Sequence, residues 1–264
     1  MKLPEPPWIV AHRGAEPLLE NTVPALLQGI AEGADLLEFD VRSTHDEVLV
    51  LFHDADLGRL AHRPDLRVER TTAATLAGIE LAHPTKRDVR GRIPTLAELF
   101  TALPDDFPVN VELKRDARNA RSDAGRLAGL ALVAAGDRPN VLFSSFDLVL
   151  LRELRRRSAR AHLAVLAHTH SPRLEAVGGE LGATSLHVAR LPRGEHSRAA
   201  LRAGLPVLVY TVNRTARARD LFARGVAGVF SDRPGALRAE LGQPGDRGVL
   251  SRTYRGTGAP EPSA

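Results

Sequence analysis

The chain has 264 residues, a formal charge of +4, no cysteine and only 4% aromatic residues. The missing cysteine excludes disulfides, thiolate metal sites and a thiol nucleophile, and no run of about 18 apolar residues marks a membrane-crossing helix. The positive charge raises nucleic acid as a partner, but the arginines are scattered and aromatics too few for a stacking platform, so no nucleic-acid binding is expected.

The first ten residues, MKLPEPPWIV, carry one lysine ahead of early prolines and lack the apolar core of an export signal, so a cytoplasmic protein without stable membrane insertion is expected. A first strand is predicted at 8–12 (WIVAH), followed by an amphipathic helix in NTVPALLQGIAEG. Strands follow at 36–41 (LLEFDV) and 48–53 (VLVLFH). Only RSTHDE separates them, too little for a crossover helix, so this pair is predicted to be a local hairpin-like excursion, or the second strand an extension at the barrel top. Residues 55–92 are charged and show little apolar periodicity, which predicts a short polar insertion over the mouth of the fold, with a capped helix in PTLAELFTAL after it. Strands at 109–114, 140–145, 162–167, 184–188, 206–212 and 227–231 then alternate with helices near 117–136, in DLVLLRELRRRS and in RTARARDLFARG. Such alternation predicts a parallel sheet with crossover helices, and its length suits a (β/α)8 barrel spanning one domain, residues 1–241. The tail, residues 242–264, is rich in Gly, Pro, Ser and Arg and is expected to be disordered.

Alternate strand residues share a face. In LLEFDV, Leu37, Phe39 and Val41 form an apolar set that belongs against the outer helices, which turns Glu38 and Asp40 into the lumen. The same parity in VNVELK sends Val109, Val111 and Leu113 outward and Asn110, Glu112 and Lys114 inward. Poorly solvated carboxylates cost several kcal/mol, roughly, unless protonated or paired with a cation. Three acids beside one lysine therefore call for one divalent cation, and all-oxygen ligands suit Mg2+ or Ca2+. Lysine is rare, occurring only at Lys2, Lys86 and Lys114 among 36 basic residues, which makes Lys114 conspicuous.

His12 closes the first strand and His53 closes another apolar run. Two imidazoles at strand ends beside a carboxylate cluster suit paired acid and base work near neutral pH. With Arg13 and Lys114 adding positive charge, the set is shaped for a phosphate ester.

These residues sit in an ordered series: AHRG, ENT, LEFDV, FHD, VELK, SSFD, YTVNR and SDRP. The series resembles that of the glycerophosphodiester phosphodiesterase family over roughly residues 8 to 240. The resemblance implies a TIM barrel and metal-dependent hydrolysis of glycerophosphodiesters to sn-glycerol 3-phosphate and an alcohol. It implies metal binding by Glu38, Asp40 and Glu112, acid–base catalysis by His12 and His53, and phosphate contact by Arg13 and Lys114. Glu20 and Asn21 would order the site; an N-cap for the following helix is the other reading of Asn21. Tyr210 stands where the family usually has tryptophan, which keeps a flat face near the mouth, and Glu47 stands at a turn position usually held by glycine.

Two other readings compete. A phospholipase D-like activity on lysolipids or sphingolipids would use a related barrel, but it calls for an apolar lip and the insertion is charged. A non-catalytic phosphate-binding barrel would be expected to have lost a histidine or an acid, and none is missing. His45, His62, His83, His168, His170 and His196 are expected to be solvated, and His187 is read either as lining the pocket or as core.

Overall fold

The computed structural model describes residues 1, 3–115, 121–194, 201 and 204–242; the tail beyond Gly242, His196 and the start of the segment near 117–136 lie outside the described residues. The main sheet has nine strands: β1 (Trp8–His12), β2 (Leu36–Ser43), β3 (Leu49–Leu51) and, after four short strands of the insertion, β8 (Val109–Leu113), β9 (Val141–Ser145), β10 (His162–Thr169), β11 (Ser185–Arg190), β12 (Val207–Val209) and β13 (Gly228–Ser231). All neighbouring pairs are parallel except β2 with β3. Because β1 pairs with both β13 and β2, the eight parallel strands close on themselves into a TIM barrel.

β3 runs antiparallel to β2, with Val41 opposite Leu51, which is the hairpin expected from the short RSTHDE link. Glu47 in that link adopts a left-handed backbone, φ 65°, so the turn takes the conformation a glycine would take without Cβ strain. The predicted strand at 48–53 is shorter than expected, while β2 runs two residues further, to Ser43.

Parity sorts the core into layers. Leu37, Phe39, Val41, Val111 and Phe143 point outward and share one apolar cluster with Leu26, Ala128, Leu150 and Leu154 of the outer helices. The lumen below the mouth is filled by Val10, Leu36, Leu208 and Phe230. Helix starts follow their caps: Thr22 accepts from Ala25 N ahead of α1 (Val23–Ala31), Thr95 and Glu98 form a capping box ahead of Leu96–Ala102, and Asp147 accepts from Val149 N and Leu150 N. Asn21 is therefore not the cap of α1; Thr22 is.

Several of the scattered arginines staple carbonyls at the ends of helices and loops. Arg155 donates to Leu181 O, Gly182 O, Ser158 O and Ala159 O, and Arg224 donates to Leu191 O and Pro192 O. Arg238, in the final helix (Pro234–Leu241), is buried and paired with Asp35 at 2.6 Å.

The insertion departs from expectation. Its surface is charged, but Leu57, Leu60, Val68, Leu76 and Leu81 are buried with Leu19, Val50, Phe52 and Ile93 in a cluster of their own. Each such side chain contributes about 1.5–3 kcal/mol relative to exposure. The elements carrying them are two to five residues long, such as β4 (Asp56–Leu57), α2 (Gly58–Ala61) and α3 (Ala73–Ala77), so no period betrays the buried face.

Candidate active site

The ends of β1, β2, β3 and β8 meet at the carboxyl-terminal mouth of the barrel, where enzymes of this architecture keep their chemistry. Strand register sets the spacing: His12 lies beside Glu38, and Asp40 beside Glu112. Glu38, Asp40 and Glu112 are all buried, and each offers a carboxylate oxygen within 4.8 Å of the other two. Arg13 Nε lies 2.9 Å from Asp40 Oδ2, and Lys114 Nζ lies 3.1 Å from Asp40 Oδ1 and against Glu112 Oε1.

Three carboxyl groups thus face two cations. Burial, reinforced by the Asp40 charge, pushes the Glu38 carboxyl up to about 8, and burial raises Glu112 as well. Burial acts on Asp40 too, yet Arg13, Lys114 and His53 outweigh it and hold Asp40 below the ordinary carboxylate range. Glu38 Oε1 is buried without a hydrogen-bond partner. An orphaned hard oxygen beside two more carboxylates and a surplus of negative charge fits a divalent cation such as Mg2+ or Ca2+.

Asn21 supports this cluster. Its Nδ2 donates to Asp40 Oδ2 at 2.9 Å while its Oδ1 accepts from Asp40 N at 3.0 Å, so both halves of the amide are spent on one residue. The loop carrying it is tightly folded. Arg13 and Asn21 both have left-handed backbones, at φ 57° and 55°, and Asn21 N donates to Arg13 O. Gly14 between them, at φ 104°, lies so close to α1 that a Cβ would meet the Ala25 backbone at 2.6 Å.

The two histidines are held differently. His12 Nδ1 lies 2.7 Å from Asp232 Oδ1, and Asp232 is fixed in turn by Asn213, whose Nδ2 donates to Oδ2 at 2.6 Å and whose Oδ1 accepts from Asp232 N at 2.9 Å. Burial is the strongest single influence on His12 and opposes its charge, but the Asp232 bond and the Glu38 charge together raise its pKa above the usual value. His53 follows β3; its carbonyl accepts from Arg42 Nε and Nη2 at 3.0 and 2.9 Å, and its Nδ1 lies 2.7 Å from Asp54 Oδ1. Burial, with Arg13 and Lys114 nearby, lowers the His53 pKa despite Asp40 and Asp54. The environments therefore push the two imidazoles apart in proton affinity.

Glu20 lies at the rim, 3.2 Å from Arg13 Nη1. Tyr210 stands on the far side of the mouth, edge-on to Phe146 and Phe230; its hydroxyl donates to Ala167 O at 2.9 Å, and burial and the Glu112 charge push it up to about 12. His12, Arg13, Glu20, Asn21, Glu38, Asp40, His53, Glu112, Lys114 and Tyr210 thus lie at one mouth. Four partners were not assigned beforehand: Asp54, Asp232, Asn213 and Arg59. The SDRP and YTVNR series contained Asp232 and Asn213, and Asp54 follows His53 directly, but only the fold shows that Asp232 and Asp54 reach the imidazoles and that Asn213 holds Asp232.

The remaining histidines divide. His45, His62 and His168 are exposed and His83 is half-buried. His170 is a correction: it is buried, with Nε2 2.9 Å from Glu175 Oε1, because its loop folds down against the following helix. His187 is wholly buried; its Nε2 lies 3.0 Å from Ser185 Oγ and its ring packs on Phe230 at 4.9 Å.

Residues 12–236 match the Glycerophosphoryl diester phosphodiesterase family. The chain is 27% identical to a glycerophosphodiester phosphodiesterase of Caldanaerobacter subterraneus, over 87% of this chain and 95% of that one. It is 30% identical to an uncharacterised protein of Bacillus subtilis, over 88% and 98% respectively. Among solved structures, a glycerophosphodiester phosphodiesterase of Thermotoga maritima is similar at 28% identity and TM-score 0.70, over 88% and 97%. The fold is also that of an Oleispira antarctica phosphodiesterase solved with the product sn-glycerol-3-phosphate, at 23% identity and TM-score 0.78, over 90% and 97%.

Proposed function

This chain belongs to the glycerophosphoryl diester phosphodiesterase family, and on that premise we propose that it is a divalent-cation-dependent hydrolase that splits glycerophosphodiesters into sn-glycerol 3-phosphate and an alcohol. The observation that carries the reading is the convergence of Glu38, Asp40 and Glu112 with Arg13, Lys114 and two carboxylate-held imidazoles at one barrel mouth.

Glu38, Asp40 and Glu112 would hold one Mg2+ or Ca2+, whose chemistry is to stabilise charge on the phosphoryl oxygens. Arg13 and Lys114 bind the same oxygens from the protein side once the ester displaces part of their contact with the acids. One imidazole takes a proton from the attacking oxygen as the new phosphorus–oxygen bond forms. That oxygen is either water, giving sn-glycerol 3-phosphate directly, or the substrate's own glycerol hydroxyl, giving a cyclic phosphate that water then opens. The other gives a proton to the departing alkoxide as the old bond breaks, so the alcohol leaves neutral. Asp232 and Asp54 each occupy Nδ1 of their histidine, which leaves Nε2 for this proton traffic. Asn21 keeps Asp40 in place, and Tyr210 offers a flat wall rather than a proton, since its hydroxyl is engaged and held protonated.

The test is product analysis on a panel of glycerophosphodiesters, with EDTA treatment and separate add-back of Mg2+ and Ca2+. Release of sn-glycerol 3-phosphate that stops on chelation and returns with one ion is expected; hydrolysis untouched by chelation would overturn the cation assignment. The charged surface of the insertion favours water-soluble substrates, so glycerophosphocholine should turn over faster than lysophosphatidylcholine. The opposite order would support the phospholipase D-like reading instead.

A further inference from the structure

Helix α2 of the insertion lies outside the barrel, yet its Arg59 reaches back to two loops at the mouth. Arg59 Nη1 and Nη2 donate to the two oxygens of Glu20 at 2.8 and 2.7 Å, and Nε donates to Asp54 Oδ2 at 2.7 Å. Each carboxylate continues to one group of the proposed site. Glu20 Oε1 accepts from Arg13 Nη1 at 3.2 Å, and Asp54 Oδ1 holds His53 Nδ1 at 2.7 Å. We propose that Arg59 is a positioning residue for the hydrolysis, fixing the ring of His53 through Asp54 and the guanidinium of Arg13 through Glu20.

The inference rests on the roles proposed above for His53 and Arg13, and its physical basis is separate from them. Arg42 fixes the backbone of His53 but leaves the ring free to turn. Among the described residues the ring bonds to Asp54, which is itself partly exposed and whose rotamer calls for a further anchor. The planar fork of Arg59 is that anchor, because it can face one carboxylate with two nitrogens and a second with the third. A lysine would supply the charge as a single point and could not span both. Arg59 is 37% exposed, where an ion pair adds little to folding. What the fork supplies is geometry, and displacements of about 1 Å in a site cost about 100-fold in rate. The insertion, held by its own apolar cluster, thereby sets the alignment of a site built on the barrel.

The experiment compares full-length wild type with Arg59→Ala, Arg59→Lys, Asp54→Asn and the double variant Arg59→Ala/Asp54→Asn. Steady-state rates on any phosphodiester that wild type hydrolyses, thermal midpoints and 15N spectra of the histidine rings are measured for each. For Arg59→Ala we expect kcat to fall about 100-fold, the midpoint to stay within about 3 °C, and the His53 Nδ1 hydrogen-bond signature to be lost. Arg59→Lys should recover little of the rate, and the double variant should lose clearly less than the two single losses combined, because the Asp54–His53 arm is shared by both substitutions while the Glu20–Arg13 arm is touched by one. Wild-type kcat in Arg59→Ala, fully additive losses, or an unchanged His53 signature would each overturn the proposal. The ring spectrum is independent of turnover. A wild type inactive on glycerophosphodiesters whose His53 signal still responds to Arg59→Ala would sink the functional reading and leave the positioning role standing.

Discussion

Two buried charge clusters lie at opposite ends of the barrel, and they are built on opposite principles. At the amino-terminal end, Asp35 meets Arg238 one to one at 2.6 Å, and the same Asp35 oxygen accepts Ile9 N at 2.8 Å. At the carboxyl-terminal mouth, three acids meet two cations, and Glu38 Oε1 is buried without a hydrogen-bond partner among the described residues. The first cluster ties the last helix to the first strand. The second is left electrostatically unfinished, which suits the proposed site for a cation and an anionic ester. Burial alone does not tell structure from chemistry; the balance of charge does.

The sharpest way to break this contrast is to neutralise one acid at each end. Glu38→Gln is expected to lower hydrolysis about 1,000-fold while leaving the metal-free thermal midpoint unchanged or higher, because it removes a charge that burial already disfavours. His12→Ala and His53→Ala should remain folded and lose about 100- to 10,000-fold in kcat. A variant with wild-type turnover would end the assignment of its residue. Chelation should act on the mouth alone, abolishing turnover and lowering the thermal midpoint by whatever binding energy the ion contributes to the native state. Asp35→Ala should do the reverse. It leaves Arg238 buried without its carboxylate, at a cost of about 3–5 kcal/mol, and kcat per folded molecule should match wild type. A loss of kcat without a loss of stability would show that the two clusters are not independent.

The smallest expected effect concerns His187, which belongs to neither cluster. Burial drives its pKa down to about 3. The unfolded chain therefore takes up a proton that the folded chain refuses as the pH falls from about 6.5, and stability declines by up to about 1.4 kcal/mol per pH unit until the folded value is reached. Above the unfolded pKa the penalty is absent. Denaturant melts between pH 7 and pH 4 should show a shallower acid slope for His187→Leu than for wild type, and equal slopes would remove this histidine from the acid limb.

The barrel and the three acids were legible because both are written in strand parity, a local signal. LLEFDV and VNVELK each show which face is apolar, and two independent strands agreeing on one lumen is enough to expose the surplus charge. The series from AHRG to SDRP then pointed to the family. Other features depend on contacts that no local pattern encodes. Asp35 and Arg238 are separated by 203 positions, and His12 and Asp232 by 220. The insertion hid its core because its buried leucines fall in fragments too short to show a period. His170 looked solvated because it sits among polar neighbours in sequence, whereas it is buried against Glu175. Asn21 was ambiguous between cap and ligand support, and only its two bonds to Asp40 decided it.

The pairing of the first strand with the last has a consequence for how the molecule is made. β1 is made well before the strand that seals it, and the carboxylate that steadies His12 follows 220 positions later. Fragments that stop before Gly228 should therefore be inert, which release of truncated chains into an activity assay would check. The proposed hydrolysis thus waits on residues far downstream of His12, and a copy that lacks them has neither the closed barrel nor the steadied imidazole.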